Sequence, residues 1–479
     1  MTDALRELWT REAWDLADGV RAGELRAVDL LDAYLARIRA IDPTLNSVCF
    51  LDEAGAHAAA AAVDAAVARG DDPGPLAGLP IGVKELNHVR GWPATHASLI
   101  YADRVSEFDD VQTARLRAAG AVLTGLTTAS EYGSVSFTNT PLHGVTRNPW
   151  DRSRTPGGSS GGAAAAVVAG LFPVGTAGDG GGSIRIPASY CGLFGMKATY
   201  GLIGRGPGPF NSSLTPVVGP MARTPRDAAR YLDVVSGPTL TDPTSLPKPA
   251  PFEPVLVSGD AQEALRGLRV AFVDHLGGFA AEPAVARVVE EAADALVAAA
   301  GWTRVDVDVA FPTPGMTWGL LSSLDEMAWH LDDVRDRLDE VTPVYRLAYE
   351  SVQHLRPDVL LKAIRRRAEL CAASAAVFGQ VDLLLTPTTP TPAFAAEGLL
   401  TGDLNGEEVT LFGLSAPFTA PFNVTGQPAC SIPAGFVDGL PVGLQVVAPR
   451  HHDLRCLAAG AVAAETRPWP HLAPIVSTA

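Results

Sequence analysis

Two short runs rich in glycine and serine constrain this chain more than any other feature. They occupy 157–162 and 180–183, and an alanine-rich segment and a short apolar segment separate them. A helix over 162–170 travels about 14 Å, and a strand over 172–177 travels about 20 Å. If the strand returns along the helix, Ser183 lies beside the helix N-terminus that carries Ser159. Glycine lets backbone N–H groups point into the space between the serines, where they can stabilise an oxyanion.

Two other interpretations of the glycine-serine runs stay open at this point. Such runs are often flexible linkers, although the helix-forming run at 163–168 follows the first one at once. A glycine turn that opens a helix can also bind a phosphate. A Walker-type loop would end in Gly-Lys-Ser/Thr, and no lysine stands here.

The two runs resemble the two halves of the amidase signature, and further segments extend this resemblance over most of the chain. These segments are GLPIGVKE around Lys84, TRNPWDRSRTPGG at 146–158, IPASYCGLFGMKATYG at 186–201, GPMARTPRDAA at 219–229 and PFNVTGQPACSIPAGFVDGLPVGLQVVA at 421–448. A chance match to one glycine run is common, whereas matches to several blocks in the right order are highly specific. The chain is therefore identified from its sequence as a member of the amidase signature family.

The resemblance implies a Ser-cisSer-Lys triad and hydrolysis of a carbon–nitrogen acyl bond in an amide, anilide or carbamate. Ser183 resembles the nucleophile, Ser159 the bridging serine next to a cis peptide bond, and Lys84 the base. Lys84 is one of only four lysines among 37 basic residues. Arginine cannot give up its proton in a protein, whereas a desolvated lysine can become a neutral base. The alternative for Lys84 on residue chemistry alone is a snorkelling side chain paired with Glu85.

The remaining site residues are predicted around this triad. Backbone N–H groups of Gly180, Gly181 and Gly182, with that of Ser183, are expected to form the oxyanion hole, and Asp179 and Arg185 to brace the loop. The candidate substrate-binding residues are Tyr132, Phe137, Phe210, Trp318 and Trp329. For Tyr132 and Phe137 a place in the core is an equal alternative, and plain helix packing is the alternative for the tryptophans.

The resemblance implies one α/β domain over 1–479, with a central mixed twisted β-sheet covered on both faces by α-helices. We divide it into an N-terminal helical cover (1–70), a catalytic core (75–235), a variable substrate-shaping region (236–380) and a C-terminal part of the core (381–479). The residues at 79–83, 109–119 and 121–126 predict a β-α-β unit and hence a parallel pair. Further predictions are a helix at 283–300, strands at 268–273, 305–309, 381–385 and 430–433, and a strand at 442–447 that closes the sheet.

Composition limits the partners. The formal net charge of -16 disfavours nucleic acid and anionic membranes and suits a neutral or cationic small substrate. Five scattered cysteines without a CxxC pair, and an N-terminus unlike a signal peptide, predict a cytoplasmic protein. None of the ten histidines falls in a metal-binding spacing, so no metal and no cofactor are expected. The sequence leaves the oligomeric state open.

Three other functions stay open from the sequence. The A subunit of a tRNA-dependent amidotransferase shares the triad, but the segment 360–379 lacks the tyrosine-rich stretch associated with that protein. A catalytically silent small-molecule binding protein is the second, and retention of all three triad residues argues against it. An ordinary Ser-His-Asp esterase is the third, and GSSGG stands where GxSxG would be required.

Overall fold

A mixed β-sheet of eleven strands forms the centre of this computed structural model, which describes residues 8–208 and 213–474. In spatial order the sheet is β1-β3-β2-β6-β8-β7-β16-β17-β13-β9-β12, and three two-stranded hairpins lie outside it. In chain order the described strands are β1 (Val48–Leu51), β2 (Pro80–Lys84), β3 (Val122–Thr127), β4 (Asn139–Thr140), β5 (Gly144–Val145), β6 (Val174–Asp179), β7 (Phe194–Lys197), β8 (Val217–Ala222), β9 (Arg269–Phe272), β10 (His275–Leu276), β11 (Phe279–Ala280), β12 (Thr303–Arg304), β13 (Leu383–Pro387), β14 (Thr401–Leu404), β15 (Glu407–Thr410), β16 (Ala429–Val437) and β17 (Leu440–Val447).

Helices flank this sheet, and the predicted fold class of one α/β domain is confirmed. The described α-helices are Ala13–Arg21, Ala27–Ile41, Glu53–Arg69, Val111–Ala118, Gly161–Val168, Arg185–Cys191, Pro225–Val235, Phe252–Ser258, Asp260–Ala264, Pro283–Ala300, Gly315–Val334, Pro343–Gln353, Pro357–Phe378, Leu411–Ser415, Ala420–Val424 and Asp453–Thr466. The residue types at a helix end explain where the helix begins and stops, as one example shows. Pro283 begins its helix, and Gly301 ends it in the left-handed conformation, at φ 65°.

The predicted β-α-β unit is present. Strand β2 pairs in parallel with β3, and the helix Val111–Ala118 connects them. Strand β2 also pairs in parallel with β6 on its other side. The carboxyl ends of β2 and β6, which carry Lys84 and Asp179, therefore lie at the same edge of the sheet.

The helix Gly161–Val168 is buried along its whole length and packs against β6. Its alanine side chains permit this close approach, because they add little bulk between the backbones. Ser160 Oγ donates a hydrogen bond to the Gly178 carbonyl at 3.2 Å and accepts one from the Gly178 N–H at 3.3 Å. The strand thus returns along the helix as the lengths of the two segments predicted.

Two sequence predictions about strands are wrong. The segment 305–309 contains no strand, and the chain instead forms the two-residue strand β12 at Thr303–Arg304, which pairs in parallel with β9. The predicted strand at 442–447 exists within β17 but does not close the sheet, since β17 lies between β16 and β13. The edge strands of the sheet are β1 and β12.

The second half of the variable region predicted at 236–380 forms three helices, Gly315–Val334, Pro343–Gln353 and Pro357–Phe378. Met327, Val334, Val341, Tyr345 and Tyr349 form a small cluster with Ile100 and Tyr132, apart from the main core. This cluster packs the helical segment against the loops that follow β2 and β3. Within the described ranges, no helix has the length and apolar character needed to cross a membrane.

Candidate active site

A cavity of about 620 Å³ opens at the carboxyl ends of β2 and β6. Lys84, Ser159 and Ser183 all line it, together with Gly180 and Gly181. Three chain segments that are distant in sequence therefore meet at one surface. A pocket of this size can hold a drug-sized molecule.

Lys84 is the last residue of β2, and only 3% of its surface is exposed. Its Nζ donates a hydrogen bond to Ser159 Oγ at 2.7 Å. Its backbone N–H donates to Thr176 Oγ1 at 2.7 Å, which fixes the strand end against β6. Burial lowers the pKa of Lys84 to about 7, against an opposing attraction from Asp179. A large fraction of this amine is therefore neutral near neutral pH.

Ser159 lies two residues before the helix Gly161–Val168, and the peptide bond between Gly158 and Ser159 is cis. The sequence resemblance implied this cis bond. Ser183 lies between β6 and the helix Arg185–Cys191, and it is partly exposed to the cavity. The structure thus brings the three predicted triad residues to one cavity. Lys84 and Ser159 are joined there by a direct hydrogen bond.

A buried ion pair holds the loop that carries Ser183. Arg185 Nη2 lies 2.9 Å from Asp179 Oδ1, and both side chains are fully buried. Arg185 also donates to Gln445 Oε1 at 2.7 Å and to Asn423 Oδ1 at 2.6 Å. Burial by itself would raise the pKa of Asp179, but the Arg185 guanidinium lowers it to about 2. Asp179 and Arg185 therefore brace the loop, as the sequence analysis expected.

The predicted oxyanion hole needs one correction. The Gly182 N–H donates to Asp179 Oδ1 at 2.7 Å, so this hydrogen is already engaged in the structure. Gly182 also adopts φ 136°, a conformation that favours glycine, which turns its peptide toward Asp179. The candidate donors that remain are the N–H groups of Gly180, Gly181 and Ser183, and all three residues line the cavity.

Two side chains hold the carbonyl groups of this glycine loop. Trp318 Nε1 donates to the Gly180 carbonyl at 2.7 Å, and Thr419 Oγ1 donates to the Gly181 carbonyl at 2.6 Å. In a trans peptide the C=O and the following N–H point in opposite directions. Each of these bonds therefore also sets the direction of one N–H in the loop. A Cβ atom at Gly181 would overlap the indole of Trp318, which explains why glycine is needed there.

The substrate-binding predictions have mixed outcomes. Tyr132, Trp318 and Trp329 line the cavity. Phe137 is not among the described residues that line the cavity. Its ring instead packs against Phe394, with 6.5 Å between the ring centroids, in a small apolar cluster that includes Ile186. Phe210 lies outside the described residues.

Sequence reasoning missed several residues of this site. Tyr345 stacks on Tyr132 with ring centroids 4.2 Å apart, and His96, His330 and Phe412 also line the cavity. None of these lies in a segment with a recognisable motif. Tyr345 and His330 reach the cavity through the packing of the helices Pro343–Gln353 and Gly315–Val334, and His96 and Phe412 reach it from other parts of the chain. Thr419 lies just before the matched block at 421–448, and Asn423 lies within it. Their residue types gave no indication of a contact with a loop about 240 residues away.

Comparisons with known proteins agree on the family of this chain. The family model described as Amidase matches residues 29–457. The chain is 37% identical to the A subunit of the glutamyl-tRNA(Gln) amidotransferase of Salinispora arenicola, over 94% of this chain and 96% of that protein. Among solved structures, it is similar to a bacterial aryl acylamidase of the amidase signature family, with a TM-score of 0.90, 27% identity and coverage of 98% and 99%. It is also similar to the A subunit of the glutamyl-tRNA(Gln) amidotransferase of Thermotoga maritima, with a TM-score of 0.73, 28% identity and coverage of 94% of each chain.

Proposed function

Because this chain belongs to the amidase family, whose members act on carbon–nitrogen bonds, we propose that it is a free-standing amidase for amides and anilides with a bulky, partly aromatic group. The observation that carries this proposal is the buried Lys84–Ser159 hydrogen bond of 2.7 Å inside a cavity that Tyr132, Tyr345 and Trp318 line. We include carbamates as further substrates, since they present the same acyl carbon to the nucleophile.

The proposed reaction uses side chains and backbone donors. Neutral Lys84 accepts the proton of Ser159 Oγ while Ser159 takes that of Ser183, and Ser183 Oγ forms a bond to the substrate carbonyl carbon. The negative charge on the carbonyl oxygen is stabilised by N–H groups of the glycine loop. Each such donor contributes about 3 kcal/mol to transition-state stability.

The tetrahedral intermediate then breaks at its carbon–nitrogen bond. Ser159 gives a proton to the departing nitrogen, Lys84 returns a proton to Ser159, and an acyl group remains on Ser183 Oγ. A water molecule next attacks this ester, loses its proton through the same relay, and releases the acid with Ser183 restored. The relay is suited to an amine leaving group, because such a group must be protonated as it departs.

The best test is a panel of chromogenic anilides and carbamates, assayed on purified protein and on Ser183→Ala prepared in parallel. We expect turnover by the native enzyme alone. A serine-directed fluorophosphonate should label Ser183 and stop that turnover. Labelling at a different serine, or an active Ser183→Ala variant, would contradict the proposed mechanism.

A second candidate function is that of an amidotransferase A subunit, and the 37% identity to such a protein favours it. Two observations favour the free-standing amidase instead. The TM-score is 0.90 with the aryl acylamidase and 0.73 with the amidotransferase protein. The net charge of -16 also gives this chain little attraction for tRNA.

The two functions differ in their preferred amide. An aromatic anilide uses the aromatic walls of the cavity, whereas free glutamine offers only a small polar group to them. We therefore expect the isolated chain to turn over an aromatic anilide much faster than it releases ammonia from glutamine. The reverse order would support the amidotransferase function.

A further inference from the structure

Three metal-ligating side chains meet outside the cavity, on Cys49, Glu85 and His143. Their ligand atoms all lie within 4.8 Å of one another. Cys49 belongs to the edge strand β1, Glu85 follows β2, and His143 lies in the turn between β4 and β5. These positions are far apart in sequence, which is why no motif spacing revealed the cluster.

The carboxylate of Glu85 is the centre of this cluster, and its side chain is only 1% exposed. Oε1 accepts a hydrogen bond from His143 Nε2 at 2.5 Å and another from Thr95 Oγ1. Oε2 is buried and has no hydrogen-bond partner among the described residues. A buried carboxylate oxygen without a donor is costly. A bound cation would remove that cost.

A backbone irregularity places the Cys49 thiol near this carboxylate, where it donates a hydrogen bond to the Leu126 carbonyl at 3.5 Å. The register between β1 and β3 shifts between Val48 and Phe50, so Cys49 is the extra residue of a β-bulge. Bulges commonly redirect a side chain relative to a regular strand. The side chain of His143 is 20% exposed, which leaves the cluster a route from solvent.

The cluster and the triad lie on opposite sides of one chain segment. Lys84 and Glu85 are adjacent, and the Glu85 N–H continues the strand pairing by donating to the Thr127 carbonyl at 3.0 Å. Successive side chains of an extended segment point to opposite faces. Lys84 accordingly contacts Ser159, while Glu85 contacts His143.

We propose that Cys49, Glu85 and His143 form a zinc-binding site that is separate from the Ser183 centre. A thiolate, an imidazole nitrogen and a carboxylate oxygen are each established ligands of Zn²⁺, and together they fill three positions of a tetrahedron. A water molecule would take the fourth position. Binding requires the Cys49 thiol to lose its proton to solvent as the zinc–sulfur bond forms. It also requires the His143 hydrogen that now points to Glu85 to move to Nδ1, which leaves Nε2 free to bind the metal.

The test is a titration of EDTA-treated, buffer-exchanged full-length protein with Zn²⁺ in competition with a chromophoric chelator. We expect one high-affinity equivalent. Co²⁺ added in place of Zn²⁺ should produce the intense thiolate-to-metal absorption of a tetrahedral site. No stoichiometric Zn²⁺ binding by the native protein would overturn the proposal.

Variants identify the ligands. Cys49→Ser should abolish the thiolate absorption, and His143→Gln should weaken Zn²⁺ binding by at least about tenfold. Cys371→Ser is the matched control, because Cys371 is an exposed free cysteine outside the cluster and its loss should change nothing. His143→Gln replaces a partly exposed side chain, so it remains informative if Cys49→Ser does not fold. Unchanged affinity in His143→Gln, or loss of the absorption in Cys371→Ser, would contradict the assignment.

Discussion

Lys84 Nζ lies 2.7 Å from Ser159 Oγ, although 75 positions separate the two residues in sequence. This contact predicts a ranking of variants. Ser183→Ala should abolish anilide turnover, because it removes the proposed nucleophile. Ser159→Ala and Lys84→Ala should each lower kcat by orders of magnitude, since the proton relay is broken. Steady-state kinetics gives the ranking, and thermal unfolding of each variant checks that the fold is intact.

Lys84→Arg distinguishes proton transfer from simple positive charge. Arginine keeps its proton at any pH a protein tolerates, so it cannot act as the base. We expect this variant to be nearly as inactive as Lys84→Ala. Substantial activity in Lys84→Arg would mean that a positive charge beside Ser159 is sufficient.

The pH profile follows from the same lysine. Burial lowers the pKa of Lys84 to about 7, so its amine is mostly protonated below that pH and mostly neutral above it. Since the neutral form is the proposed base, kcat/KM for an anilide should rise with pH through about 7 and then level off. The profile should be recorded on EDTA-treated protein, whose activity we expect to survive because the proposed triad uses no metal. A profile that falls as pH rises through this range would rule out neutral Lys84 as the base.

The three proposed triad residues could be selected from the sequence because each stands in a locally distinctive segment, and the structure places all three at one cavity. Ser159 and Ser183 stand in glycine runs, and Lys84 ends an apolar strand, so each is marked by its neighbours. The contacts that hold the glycine loop could not be predicted from the sequence. The side chain of Thr419 and the indole of Trp318 reach this loop only through tertiary packing.

The fold shows the same contrast between features that neighbouring residues determine and features that depend on tertiary packing. The strand predicted at 305–309 is apolar at alternate positions, yet pairing with β9 stops after Arg304. Alternation predicts a suitable surface for a strand but does not supply a neighbour for it. The metal-ligating cluster of Glu85 and His143 likewise depends on a turn and a strand end that meet only in the folded chain.

Trp318→Phe tests whether the indole positions the glycine loop. The substitution keeps an aromatic ring in the cavity but removes the donor that binds the Gly180 carbonyl at 2.7 Å. One hydrogen bond of this kind contributes about 0.5–1.5 kcal/mol. We therefore expect kcat to fall about twofold to thirteenfold.

Trp329→Phe is the control for Trp318→Phe. Trp329 lies on the same helix and lines the same cavity, but it is 51% exposed. Its replacement should change KM for bulky anilides more than kcat. Equal losses of kcat in the two variants would assign the effect to cavity shape and not to the Gly180 contact.

Arg185→Met should destabilise the protein. Arg185 and Asp179 are fully buried, so the substitution leaves the Asp179 carboxylate without its partner. Breaking a buried pair in this way lowers the free energy of unfolding by about 3–5 kcal/mol. Arg287→Met is the matched control, because Arg287 and Glu291 are 66% and 58% exposed and such surface pairs contribute less than about 1 kcal/mol. Denaturant unfolding of both variants measures the difference, and equal effects would contradict the bracing role of Arg185.

With a carbamate substrate, either the alcohol or the amine can leave the tetrahedral intermediate first, and the two orders give different acyl-enzymes. If the alcohol leaves first, Ser183 carries a carbamoyl group, and if the amine leaves first, it carries an alkoxycarbonyl group. The Lys84–Ser159 contact is suited to protonate a departing nitrogen, and an amine needs that proton more than an alcohol does. We therefore expect the amine to leave first, after which water releases the alcohol and carbon dioxide. Intact-protein mass spectrometry of a rapidly quenched reaction distinguishes the two adducts, and a carbamoyl mass alone on Ser183 would mean that the relay does not set the order.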